Sequence, residues 1–250
     1  MKELNGKIAI VTGSSRGCGR GVAIELAKVG CNVVVNYHGN KKCADEVVEE
    51  LTAFGVKAVA IQADVSNEAS VISMFKKTIE IFGRLDILVN NAGTSKAQDI
   101  FETTEEDWDF IVNTNLKSGF LCCKEAMKIM RDQKGGHIVN ISSVTGHRGA
   151  LFGFVHYAST KSGQFGMTKT LARTGAPYGI RVNTVAPGLI ETELLHETLS
   201  PEKLKELTDD VPLGLGQISD IGLAVVYLCG PGGRYVTGAT IDVNGGIYMR

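Results

Sequence analysis

Ile8-Ala9-Ile10-Val11-Thr12-Gly13-Ser14-Ser15-Arg16-Gly17-Cys18-Gly19 decides the fold class of this chain. The first four residues are apolar and mostly β-branched, the pattern of a strand with no wet face. Three glycines follow in the spacing G-x-x-x-G-x-G, and the stripe Ala23, Leu26, Ala27 then marks a helix. Strand, glycine turn and helix in that order gather backbone N–H groups and the positive end of a helix dipole at one point, which suits a phosphate. The spacing is not the usual G-x-G-x-x-G fingerprint. No Gly-Lys-Ser/Thr follows, so it is not a P-loop either.

The same alternation runs to the end of the chain. Short apolar runs at 33–35, 58–61, 87–89, 138–141, 180–185 and 240–243 predict six more strands. Helical spacing separates them, as in Ala44, Val47, Val48, Leu51 and in Val71, Met74, Phe75, Ile79, Phe82. Ser66 or Asn67 is placed to cap the second of these helices. Thr104, with Asp107 three residues on, starts a long helical pattern as a loose capping box. A further helix is expected over about 154–173, and Ser219 is expected to cap a short one through Leu228. Apolar strands alternating with helices imply an α/β fold: a Rossmann-like, doubly wound, seven-stranded parallel sheet with helices on both faces. No linker or repeat divides residues 1–250, which read as a single domain. Residues 189–217 break the rhythm, contain Pro201 and Pro212, and are expected to form a substrate lid.

Composition removes several classes. Hydrophobic residues make up 44%, charged residues 21%, and the net charge is −1. There is no dense Lys/Arg run, which argues against nucleic-acid binding. No apolar run approaches the roughly 18 residues of a membrane span. Met1-Lys2-Glu3-Leu4-Asn5-Gly6 lacks the apolar core of a signal peptide, so a cytoplasmic protein is expected. Cys18, Cys31, Cys43, Cys122, Cys123 and Cys229 form no C-x-x-C pair and no zinc spacing. They read as free thiols, with no metal site.

The end of the second strand bears on the ligand. A carboxylate there would bind a ribose 2′-hydroxyl. The chain instead has Asn36-Tyr37-His38-Gly39-Asn40-Lys41, with no acid before Asp45, and Arg16, Lys41 and Lys42 nearby. A 2′-phosphate suits this set, so NADP(H) is the expected cofactor.

Ser142-Ser143 ends the fifth strand, at the carboxyl edge where open α/β sheets bind ligands. Tyr157 and Lys161 follow in a helix, where i, i+4 spacing puts both on one face. Tyr37 and Lys41 repeat that spacing at a strand end without partners and read as a coincidence. A phenol has a reference pKa of ~10, and a cation beside it favours the phenolate. That pairing would bring Tyr157 toward working pH for proton transfer to a carbonyl oxygen that gains charge as hydride reaches its carbon.

With these residues in place the sequence resembles the short-chain dehydrogenases/reductases. It looks most like the bacterial 3-oxoacyl-[acyl-carrier-protein] reductases among them. The motifs that carry the resemblance are Thr12 to Gly19, Asp64-Val65, Asn90-Asn91-Ala92-Gly93, Asn115, Ser143, Tyr157-x-x-x-Lys161 and Pro187-Gly188 followed by Thr192. The resemblance implies a catalytic set of Asn115, Ser143, Tyr157 and Lys161. In it Ser143 clamps the substrate oxygen, Lys161 also grips the nicotinamide ribose, and Asn115 holds a proton-relaying water. It implies cofactor contacts from Gly13, Ser15, Arg16, Gly17, Cys18 and Gly19 in the turn, and from Tyr37. Asp64 and Val65 would meet the adenine, and Asn90, Ala92 and Gly93 would flank the adenosine. Pro187 and Gly188 would let backbone approach the nicotinamide, and Ile190 and Thr192 would bind its carboxamide. Ser143, Leu151, Phe152, Phe154 and Tyr157 would border the substrate.

Several positions depart from that pattern. Cys18 replaces a branched aliphatic residue. Leu215 stands where arginine is expected. The stretch from Ser143 to Tyr157 is one residue longer and more apolar. Thr174-Gly175 is expected to interrupt the tyrosine helix. The leading reading is NADPH-dependent reduction of a 3-oxoacyl thioester by a homotetramer, with a small carbonyl or alcohol substrate and an acyl-carrier protein as partner. The rivals are a cyclic or steroid-like ketone, a sugar, and a non-catalytic NADP-binding sensor or scaffold. A nucleotide-sugar epimerase would need a larger C-terminal domain.

Overall fold

The computed structural model describes residues 4–151, 153–198 and 200–250. Seven strands, β1 (Ile8–Val11), β2 (Asn32–Tyr37), β3 (Ala58–Gln62), β4 (Ile87–Asn90), β5 (Gly136–Ile141), β6 (Ile180–Pro187) and β7 (Thr240–Val243), form one sheet. Their order is β3-β2-β1-β4-β5-β6-β7, and every pairing is parallel. The chain turns outward from β1 in both directions, so the carboxyl ends of β1 and β4 meet at the switch point where such sheets take ligands.

Alternation along each strand divides the core in two. Ala9, Val11, Val33, Val35, Ile87 and Val89 face one layer; Ile10, Val34 and Leu88 face the other. The first layer packs on α1 (Gly17–Lys28), α2 (Lys41–Thr52) and α10 (Ile218–Cys229). The second packs on α3 (Glu68–Phe82), α5 (Ser118–Gln133) and α7 (Val155–Gly175). Strands buried on both sides are the reason their runs read as continuous apolar sequence. Helices α1 and α10 touch backbone to backbone. A Cβ on Gly21 would lie 2.5 Å from the Ile218 carbonyl oxygen, and one on Gly222 would lie 2.6 Å from Glu25 Cγ.

The structure differs from the sequence reading at four places. The long pattern after Thr104 is α4 (Glu105–Val112), then a π-helical turn over Asn113–Lys117, then α5. Thr104 does cap α4, accepting from the Asp107 N–H at 3.1 Å. The Asp107 carboxylate bonds Lys96 and Gln98 and not the Thr104 backbone N–H, so the reciprocal half of a capping box is missing there. At α10 the cap is Gln217, paired in a capping box with Asp220, and Ser219 lies inside the helix. Thr174 and Gly175 do not interrupt α7, which runs through both. Gly175 lets Ile180 pack close, since a Cβ would sit 3.0 Å from Ile180 Cβ.

Between β5 and α7 lies the short α6 (Thr145–Arg148). Residues 189–217 hold α8 (Glu193–Thr198) and α9 (Pro201–Asp209), and a bridge between Ile190 and Gly216 closes the segment at its base. Among the described residues no helix is long and apolar enough to cross a membrane, no cluster of His, Cys, Asp or Glu could hold a metal, and the six cysteines are free.

Candidate active site

Three side chains meet at the carboxyl edge of the sheet. Ser143 follows β5, and its hydroxyl accepts from the Thr145 N–H at 3.1 Å while lying in hydrogen-bonding range of the Tyr157 phenol. Tyr157 stands in the first turn of α7. Lys161 is one turn on, its Nζ 5.5 Å from the Tyr157 ring centroid, so the two share a helix face. The Lys161 ammonium donates to the Ile141 carbonyl at 2.9 Å, and Ser142 accepts no less firm a role by donating its hydroxyl to the Lys161 carbonyl at 2.8 Å.

The electrostatics correct the sequence expectation. Burial raises the Tyr157 phenol above its ordinary value, and the Ser143 hydrogen bond only partly offsets this. Burial likewise pushes Lys161 down to about 8. The Lys161 ammonium is bonded to the Ile141 carbonyl and stands over the Tyr157 ring, and burial outweighs it in setting the phenol's direction. The Cys18 thiol faces both groups from the glycine turn; burial raises it to about 11, and it stays neutral.

A pH test follows from the depressed lysine. A base that binds its proton more weakly in the folded chain than in the unfolded chain makes stability rise with pH between the two values. Here that window runs from about 8 to the lysine's ordinary 10.5. Urea unfolding at pH 8 and pH 10 should show wild type gaining about 2 kcal/mol relative to Lys161→Met. Equal gains in both proteins would contradict the buried placement of this ammonium.

Asn115 lies in the π-helical turn, not in a regular helix. Its side chain accepts from the Thr94 N–H and donates to the Thr94 carbonyl, both at 2.8 Å, with a longer bond of 3.3 Å to the Thr160 hydroxyl. Its carbonyl accepts from Gln164 at 2.9 Å. The turn leaves carbonyls without regular helix partners, and Gln164, together with the Ser118 hydroxyl on the Thr114 carbonyl, satisfies two of them.

The glycine turn is built as expected, for partly different reasons. A Cβ on Gly13 would meet Ala92 Cα at 2.9 Å, and one on Gly19 would meet Asn91 Nδ2 and the Gly13 carbonyl at 2.5 Å. Gly17, at φ +55°, has only the Thr192 methyl within reach of a Cβ, at 3.8 Å. Arg16 occupies the N-cap of α1 and gives no side-chain cap, so no N-cap side chain takes up the first N–H groups of that helix. Ser15 and Arg16 line a cavity of about 270 Å³ with Arg20, Cys43, Glu46, Val47 and Glu193. Among the described residues Arg16 has no ion-pair partner, whereas Arg20 is held by Glu50. Lys41 and Lys42, near the end of β2, form exposed ion pairs with Asp45 and Glu46.

Other expected contacts fall as follows. Asp64 accepts from the Ser66 N–H and hydroxyl, which hold its carboxyl below the usual range. Val65 and the Tyr37 ring lie in the core. The Asn90 side chain points inward to Asn140 and Cys123, leaving only its backbone near the cleft. Gly188 is required by Asn244, whose Cα would be 2.7 Å from a Cβ; Pro187 accepts from the Val144 N–H behind it. Ile190 is buried at the bridge to Gly216. Gly93 packs on Asn115 and lies near the Lys161 ammonium. Leu151 is exposed, while Phe154 adopts φ +60° and sets its ring edge-on to Tyr157 at 6.4 Å. Phe152 lies outside the described residues.

Sequence reasoning passed over the residues that hold the turn. Thr12 Oγ1 accepts from the Asn91 and Ala92 N–H groups, and Asn91 donates to the Thr12 and Gly13 carbonyls. Asn36 accepts from the Gly13 N–H and donates to the Ile61 and Ala63 carbonyls. A lone amide inside an apolar strand was the available signal, since burial requires it to be bonded.

These residues fit a nicotinamide dinucleotide: an uncapped helix end over a glycine turn, an unpaired arginine beside it, and a buried ammonium and phenol at the far end of the same edge. The comparisons agree. A family model described as enoyl-(acyl carrier protein) reductase matches residues 13–248. A 3-oxoacyl-[acyl-carrier-protein] reductase FabG of Staphylococcus aureus (strain Mu50 / ATCC 700699) is 45% identical over 244 residues, covering 97% of this chain and 98% of that one. A 3-oxoacyl-[acyl-carrier-protein] reductase of Synechocystis sp. is 40% identical over 251 residues and the full length of both. A crystal structure from Sinorhizobium meliloti 1021, described as a short-chain alcohol dehydrogenase, superposes with a TM-score of 0.92 at 37% identity over 98% of each chain. The chain belongs to the short-chain dehydrogenase/reductase family.

Proposed function

We propose that the chain reduces a 3-oxoacyl thioester to the 3-hydroxyacyl thioester with NADPH. The observation that carries this reading is the meeting of the Ser143 hydroxyl, the Tyr157 phenol and the buried Lys161 ammonium at one point on the sheet edge. Relatives named for this reaction at 40–45% identity over nearly the whole chain support the substrate class.

When bound, reduced nicotinamide supplies the hydride to the carbonyl carbon. Tyr157 donates its proton to the carbonyl oxygen, and a phenol kept protonated by burial is ready to do so. Ser143 donates a hydrogen bond to the same oxygen. Lys161 keeps positive charge beside the phenolate that forms and holds the nicotinamide ribose. Asn115, locked on Thr94, fixes the turn that faces the Lys161 ammonium across Gly93. In this reading Gly13, Ser15, Arg16, Gly17, Cys18 and Gly19 cradle the pyrophosphate and the 2′-phosphate, with Asp64 and Val65 at the adenine and Thr192 at the carboxamide. Leu151 and Phe154 border the substrate, and residues 189–217 close over it within a single domain.

An acyl-carrier protein is the proposed carrier and the cytoplasm the proposed compartment. A homotetramer is supported by exposed Phe110 and Phe120 on α4 and α5, and by Leu223, Tyr227 and Tyr235 at the α10 end. The test is a panel of acetoacetyl thioesters, crotonyl thioester, and bicyclic or steroid ketones with NADPH and NADH. Turnover of the 3-oxo thioester alone is expected. Turnover of only the cyclic ketones would transfer the reading to an apolar ketone, and turnover of crotonyl thioester alone would transfer it to enoyl reduction. Arg16→Ala should lower the preference for NADPH over NADH by about 10- to 100-fold, the worth of one or two charge-assisted hydrogen bonds. An unchanged preference would remove Arg16 from the phosphate site.

A further inference from the structure

His156, immediately before Tyr157, has no part in the reaction as described. Its side chain is fully buried, at 0% exposure. Helix α7 begins without an ordinary cap: its N-cap residue is Phe154, in the left-handed region, with no side-chain hydrogen bond. The first N–H groups of any helix lack partners within the helix, and a buried one must find an acceptor elsewhere. Here the Tyr157 N–H, third in the helix, donates to Nδ1 of His156 at 2.8 Å. The imidazole therefore takes the place of the serine or aspartate that usually caps a helix.

That bond fixes the protonation state. Nδ1 accepts only in the neutral ring with its proton on Nε2. Nε2 is sealed from solvent and has no hydrogen-bond partner among the described residues. Burial lowers the imidazole below its ordinary value of 6.5, Asp107 on α4 opposes this, and Lys96 on the loop before α4 reinforces it. Asp107 is itself held by Lys96 and Gln98, and the Gln98 carbonyl accepts from the Phe154 N–H at 3.1 Å. A bonded path thus runs from the start of α4 to the N-cap of α7, and the imidazole sits two residues on, bonded to the Tyr157 N–H.

We propose that His156 is a positioning residue for Tyr157: its neutral imidazole holds the tyrosine amide, and protonation releases that amide and loosens the turn that aims the phenol at Ser143. The inference rests on the proposed role of Tyr157. Ring protonation turns Nδ1 from acceptor to donor, so the bond exists above the imidazole's pKa and is lost below it. The active form lies on the high-pH side, and the loss falls below pH 6.5.

The test combines nuclear magnetic resonance with kinetics on the full chain. In wild type the Tyr157 amide resonance should move with pH in step with the His156 ring nitrogens, and kcat should fall with the same midpoint. His156→Asn, whose Oδ1 accepts from the following N–H at any pH, should keep kcat within about threefold at pH 8. It should also abolish both the amide titration and the acid-side fall. His156→Leu should lower kcat about tenfold at pH 8, with the NADPH KM within twofold. A Tyr157 amide indifferent to imidazole protonation, or an acid limb that persists in His156→Asn, overturns the proposal. If wild type turns over no carbonyl compound, the functional reading has failed, and the amide titration still decides the role of His156.

Discussion

Tyr157→Phe lowers carbonyl reduction by about 10²- to 10⁴-fold, the range of one positioned general acid. The substitution removes a single oxygen. The ring stays against Phe154 and under Lys161, and the backbone bond to His156 is untouched. NADPH affinity, measured by fluorescence titration, should therefore stay within about twofold of wild type, since an interaction made mainly in the transition state leaves ground-state binding alone. The phenol's raised pKa sharpens the expectation: at neutral pH it is a proton donor, so the loss should appear in the reductive direction at neutral pH. Full activity in the phenylalanine variant would remove the tyrosine from the chemistry.

Gly21→Val should destabilise the chain by about 3 kcal/mol or more, lowering Tm by about 6–12 °C. The added Cβ would fall on the Ile218 carbonyl, which is backbone and cannot rotate aside as a side chain would. Helix α1 must then move off α10. Because α1 begins at the glycine turn, its displacement should also raise the NADPH KM several-fold. A variant with wild-type Tm would mean that the two helices separate without cost. The nearby Gly39→Ala is the contrasting case, since a Cβ there has nothing within 4 Å and φ is ordinary.

Much of this was legible because the fold's signals are local. β1 and β7 have the bounds that the apolar runs predict, and α7 starts one residue from its predicted start. Tyr157 and Lys161 share a face because four residues in a helix always do. What was not legible depends on distant partners. Asn113-Thr114-Asn115-Leu116-Lys117 holds three weak helix formers but no breaker, and its π-helical form becomes clear only with Thr94 and Gln164 beside it. Ser219 is a better cap by residue type than Gln217; the deciding fact is Asp220 three residues after Gln217, which completes the reciprocal pair. Lys41 and Lys42 each have an acid one turn along, Asp45 and Glu46, and the exposed pairs they form could be read from the spacing. The sign of the tyrosine shift was missed because charge pairing shows in sequence spacing and burial does not.

The five-residue turn around Asn115 amounts to one amino acid more than a regular helix would need. Five residues of π-helix rotate the chain by about the same angle as four of α-helix, so dropping one from Asn113–Lys117 would restore regular winding and keep α4 and α5 in phase, but would close the bulge. Asn115 would leave Thr94, and the loop carrying Lys96 and Gln98 would lose its seat. Gene-level insertions and deletions should therefore be tolerated far less here than point substitutions, and the spacing of this segment constrains the protein as firmly as the identity of any residue in it.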